Sequence, residues 1–142
     1  MGFWKQVLSC GIFGFTVEER RAVIRGSIED FTNVCRELRD VRRIRSIAGG
    51  LGLKVADKLD ERWLHFRYLQ AKFIYGLSLQ RSYGGDGVIP SDTILEHDIH
   101  DLEYLILGLH AETFATMESQ RRYQKIGWKF KLLCPAGSVI DH

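Results

Sequence analysis

Proline is nearly absent from this chain. There are two in 142 residues, Pro90 and Pro135. Proline breaks helices, so the proline-free stretch 1–89 leaves room for long ones. Cysteine is scarce as well. Cys10, Cys35 and Cys134 are odd in number, widely spaced and without a Cys-x-x-Cys pair. That excludes a zinc-finger or disulfide-scaffold reading and fits a reducing, intracellular compartment, with the thiols serving as small apolar groups. No apolar run approaches the roughly 20 residues that span a bilayer. The first fifteen residues hold one basic residue and no small-residue cleavage pattern, so a secretory signal is not expected. Global charge imbalance is missing too: the net charge of +2 does not describe a globally basic nucleic-acid binder.

Catalytic motifs are also lacking. Gly-Gly-Leu-Gly at 49–52 has no Lys-Ser/Thr after it and reads as a helix stop rather than a phosphate loop. Neither Gly-x-Ser-x-Gly nor His-Glu-x-x-His occurs. No arginine is followed by histidine at a gap of four to six residues, the spacing of a common helical ribonuclease motif. An enzyme is therefore not the favoured reading.

What is present is segregated charge. Residues 91–118 carry seven acids and three histidines with no lysine or arginine, and residues 119–131 carry five basic residues and no acid. Length and composition suit one domain with its own core: 142 residues, 45% hydrophobic, 27% charged.

Periodicity predicts an all-α fold. Trp4, Val7, Leu8 and Ile12 share a face in a short N-terminal segment, 1–15. Thr16 and Glu19 form a capping box that opens a helix expected to run to about Ile47, with Ile24, Ile28, Phe31, Cys35 and Leu38 as its stripe. Gly49, Gly50 and Gly52 end it. A helix over 53–79 follows, striped by Val55, Leu59, Trp63, Phe66, Leu69 and Phe73, with Tyr75 beside the stripe. A further helix starts near Ser91 or Thr93 and could run to about Ile126, with Leu95, Ile99, Leu102, Ile106 and Leu109 buried. Residues 128–132 alternate apolar and basic, yet the run is short and a helical extension is preferred to a strand. The expected architecture is a single helical domain, 1–142, built as a small antiparallel bundle of three long helices plus a short N-terminal one. A basic–aromatic tail, 127–142, closes it.

Four constellations are candidates for function. Glu96, His100 and Glu103 lie at i, i+4 and i+7, a carboxylate–His–carboxylate face that could hold a transition metal if another helix, through His65 for example, completed the set. His110 is about 10 Å further along. No cofactor is otherwise expected. His97-Asp98, with His65 upstream, is similar over three residues to the signature of HD-type metal-dependent phosphohydrolases, but the later aspartate has no convincing candidate. Arg36, Arg39 and Arg43 share a face of the expected long helix and could track phosphates, so nucleic acid is a partner class to weigh, though not the favoured one. Arg121, Arg122, Lys125, Trp128 and Lys129 interleave cations with aromatics and suit an acidic protein surface, including the acidic block of a second copy. Phe3 and Trp4 would meet an apolar partner or a membrane surface. The leading expectation is a non-enzymatic adaptor or small subunit of a larger assembly, or a homo-oligomer. A metal-binding bundle and a nucleic-acid module are the alternatives.

Overall fold

In the computed structural model, residues 15–55, 64–83, 92–116 and 125–141 are described, with side chains of the last two segments described over 98–114 and 125–140. The described residues are mostly helical. In chain order they form α1 (Val17–Arg25), α2 (Ile28–Arg36), a 3-10 turn (Glu37–Arg39), α3 (Val41–Gly50), α4 (Leu64–Tyr83), α5 (Asp92–Ala111), β1 (Thr113–Thr116), α6 (Ile126–Leu133) and β2 (Ser138–Asp141).

The single helix expected over 16–47 is instead three pieces, each break with a local cause. Thr16 and Glu19 make the expected capping box on α1. At Gly26 a Cβ would meet the Ala22 carbonyl oxygen at 2.6 Å, so only glycine allows this exit from α1. Ser27 and Asp30 then form a second capping box, in which an aspartate fills the usual glutamate place. Arg81, reaching across from α4, donates to the Val23 and Gly26 carbonyls (3.1 and 3.0 Å) and satisfies the end of α1. Asp40 begins α3 by accepting the Arg42 amide at 2.9 Å. The break at Gly26 changes the helical phase, which leaves Ile28 49% exposed while Phe31, Cys35 and Leu38 are fully buried.

α4 is the centre of the molecule. Every residue over 69–79 is buried, so the predicted stripe has become a whole buried cylinder. The helix starts later than expected, since residues 53–55 lie outside any helix. Its buried Gln70 is satisfied at both ends: the amide donates to the Leu38 carbonyl (2.9 Å) and the side-chain oxygen accepts from Arg67 (3.0 Å). α5 buries Leu102, Leu105, Ile106 and Leu109 against α4 and α6.

Two short strands were not anticipated. Glu112, in the left-handed region at φ 58°, turns the chain sharply from α5 into β1. β1 pairs in parallel with β2, Thr113 opposite Ser138 through Thr116 opposite Asp141, with α6 in the crossover. The expected C-terminal tail is thus part of the packed body. Phe130, Leu132 and Leu133 are buried, and the rings of Phe130 and Phe114 stack at 5.4 Å. Pro135 follows the helix end at Leu133, as expected of a stop. Among the described residues no helix is long and apolar enough to cross a membrane.

Candidate functional site

Two features stand out: a cavity between α4, α5 and α6, and the outward face of α5. The cavity follows from helical spacing. Tyr75, Ser78, Leu79 and Ser82 of α4 lie at i, i+3, i+4 and i+7, and so do Asp98, Asp101, Leu102 and Leu105 of α5. Each set makes one face, and the faces meet across a volume of about 240 Å³, with Ile126 and Lys129 of α6 completing the wall. Tyr75 donates its hydroxyl to the Asp98 carboxylate. Burial, reinforced by that hydrogen bond, pushes the Tyr75 phenol above its ordinary range, so it remains a donor. The Lys129 ammonium lies 5.6 Å from the centre of the Tyr75 ring, close enough for a cation–π contact. Beneath it, burial raises the Cys35 thiol to about 12, against the opposing pull of Lys129 and Arg81. Cys35 and Cys134 are both buried and free, as small apolar residues would be.

The outward face of α5 carries His100, Tyr104, Leu107 and Ala111 at i, i+4, i+7 and i+11, with Glu103 and His110 alongside. Tyr104 is 67% exposed and Leu107 62%. The described side chains of this helix, 98–111, include no lysine or arginine, and just past its end Glu112 lies 3.8 Å from Arg67.

The residues singled out from sequence are distributed unevenly. Phe3, Trp4, Arg121 and Arg122 lie outside the described residues, as do the side chains of Glu96 and His97. Lys125 is the N-cap of α6 and is half-buried. Trp128 turns inward and stacks on Phe31 (6.1 Å, 8° between planes). Lys129 is buried, whereas the sequence reading set it on a surface for an acidic partner. The reason is that residues 126–133 are helical, which brings Lys129 onto the same side as Phe130 and Leu133.

His100 and Glu103 are both exposed. His65 is also exposed and stacks on Tyr68 of its own helix at 6.3 Å. Among the described residues no group of three or more His, Cys, Asp or Glu is placed to hold a metal ion.

Arg36, Arg39 and Arg43 do not share a helix face. They fall on α2, the 3-10 turn and α3 respectively, because the chain breaks at Asp40. Arg36 bonds Asn33 (2.6 Å), and Arg39 donates to the Leu132 carbonyl at the end of α6 (2.6 Å). Burial and the neighbouring Arg36 lower the Arg39 pKa. Arg43 bridges to Glu19 (2.6 Å) and lies over the Phe15 ring at 4.8 Å, tying α3 to α1.

Sequence reasoning missed the cavity. Its one visible signal was Tyr75, set beside an otherwise apolar stripe, together with the Asp98–Asp101–Leu102–Leu105 spacing. No protein family, curated protein or solved structure matches the chain.

Proposed function

We propose that the protein is a non-enzymatic helical interaction protein, an adaptor or small subunit, whose contact surface is the outward face of α5. The observation that carries this reading is the alignment of exposed Tyr104 and Leu107 on one helix face. A single exposed apolar side chain needs no explanation. Two large ones spaced i, i+3 beside Ala111 make a stripe of the kind an amphipathic partner helix covers. The flanks set the partner's charge. Glu103 borders the stripe and Asp101 lies at its edge, both exposed, and residues 91–118 contain no lysine or arginine. The fitting partner is a helix with an apolar stripe and basic flanks. Charge at the rim would govern encounter and selectivity more than affinity. The basic–aromatic residues Trp128 and Lys129 contribute less to this reading than the sequence suggested, because they face the core.

The test uses two labelled amphipathic helical peptides, identical except for lysine or glutamate on the flanks. Fluorescence anisotropy should show binding of the lysine-flanked peptide, weakened when salt rises from about 50 to about 500 mM as exposed charges are screened. Equal binding of both peptides, or of neither, would remove the proposal.

A further inference from the structure

We propose that the outer edge of β2 pairs with the same edge of a second copy of this chain, joining two β1–β2 pairs into one continuous sheet. The direction of the main-chain groups carries the argument. β1 and β2 are parallel, with Thr113 opposite Ser138 and Ala115 opposite Ile140. In such a ladder, alternate residues of a strand turn both N–H and C=O to the neighbouring strand. The Ser138 amide donates to the Glu112 carbonyl at 3.1 Å, so Ser138 and Ile140 are the residues that face β1. Val139 and Asp141 therefore turn their N–H and C=O to the opposite edge. Among the described residues no strand lies along that edge. The outer edge of β1 differs, because α5 lies against it: a Cβ at Gly108 would sit 3.3 Å from the Thr113 carbonyl oxygen. A strand with unpaired N–H and C=O groups is a template for another strand, and a two-stranded pair is marginal by itself.

The sequence of β2 suits its own copy. Side chains alternate across a strand, so Val139 packs inward on the core while Ile140 stays 48% exposed. Hydrogen bonding across the shared edge restricts an antiparallel pair to registers that oppose the outward residues, Val139 and Asp141, to each other or to themselves. A two-fold axis at Asp141 would oppose two acids. One at Val139 would set Ile140 against Ser138. One at Ile140 opposes Val139 to Asp141 of the second copy, so that each exchanges both main-chain hydrogen bonds with its opposite. It also sets Ile140 against Ile140 of the second copy, where cross-strand Cβ atoms are about 4.5–5.5 Å apart. This last register covers the exposed isoleucine and keeps the acids apart. The contact is short, so the association is weak and depends on concentration.

The test is light scattering on the whole chain from about 10 µM to about 1 mM, a range suited to a weak interface. We expect the molar mass to rise from one chain toward two. Ile140→Lys and Ile140→Glu each set like charges opposite one another, and each alone should stay monomeric with an unchanged unfolding midpoint. Their equimolar mixture should associate, since opposite charges then face each other. Val139→Pro removes an N–H that the β1–β2 ladder does not use, so it should abolish association while the fold persists. A constant monomer mass in the unaltered chain would overturn the proposal and leave the edge to an extended segment of another protein. Association that survives in Ile140→Lys or Val139→Pro would also overturn it, as would a mixture of the two charged variants that stays monomeric.

Discussion

α4 and α5 are both twenty-residue helices packed side by side, and they are put to opposite uses. α4 is buried around its whole circumference over 69–79 and is tied into its neighbours through Gln70 and Arg81. α5 buries one face only and leaves Tyr104 and Leu107 in solvent. A helix enclosed on every side mainly holds the molecule together. A helix with an aligned apolar stripe on its free face can also meet something else. The expected consequence is a separation of effects: changes in α4 should move stability, and changes on the outer face of α5 should move association.

The sharpest way to break that comparison is to truncate both helices. Ile74→Ala, at a fully buried position, should cost roughly 2–5 kcal/mol in urea unfolding. Leu107→Ala should stay within about 0.5 kcal/mol. Similar losses at the two sites would mean that α5 is more deeply packed than its exposure shows. Next in size is Gln70→Leu, which removes the partner of the Leu38 carbonyl and of Arg67 and should cost roughly 1–3 kcal/mol.

Gly108→Ala tests the buried side of α5. Alanine is the better helix former by about 1 kcal/mol. Here its Cβ would meet the Phe114 ring at 2.7 Å and push it against Phe130, so thermal unfolding should show a net loss of stability. A stabilised variant would show that the α5–β1 packing yields easily.

A smaller effect comes from pH. Lys72 of α4 is buried against Tyr68, its ammonium 3.8 Å from the ring centre, and burial lowers its pKa from 10.5 to about 8. The folded state therefore binds fewer protons than the unfolded state between those values, and this group makes stability rise with pH there. Cys35 acts oppositely from about pH 9, since its folded pKa lies above its unfolded one. Tyr75 joins it from about pH 10. The Lys72 contribution is thus read most cleanly between pH 8 and 9. Urea titrations should show a rise there that Lys72→Met abolishes, and an identical pH profile in the variant would assign the rise elsewhere.

The sequence made the outer helix easier to read than the inner one. In α5 the period of 3.6 survives: Leu102, Ile106 and Leu109 are buried as the stripe predicts, and Glu103 falls on the far side. In α4 the stripe understated burial, because periodicity cannot tell a half-buried helix from one that neighbours enclose on every side. Enclosure depends on residues distant in sequence, such as the Val23 and Gly26 carbonyls that Arg81 reaches. The breaks at Gly26 and Asp40 were legible only in part. Ser27 with Asp30 has capping chemistry, but the apolar stripe running through Gly26 gives no sign of a break there. β1 and β2 span four residues each, too few for an alternating pattern to show, and their pairing is fixed by the Glu112 turn and the α6 crossover. The arginine face failed for the same reason as the long helix, since a face exists only while the helix is continuous. The cavity was the least legible feature, because it needs the relative placement of three helices.

The most direct test of the central claim is the affinity of the lysine-flanked amphipathic peptide for the protein carrying both Tyr104→Ala and Leu107→Ala, measured by anisotropy beside the unaltered chain. The expected result is binding weakened about tenfold or more with an unchanged unfolding midpoint. Unchanged affinity in a folded double variant would contradict the assignment of α5's outward face as the contact surface.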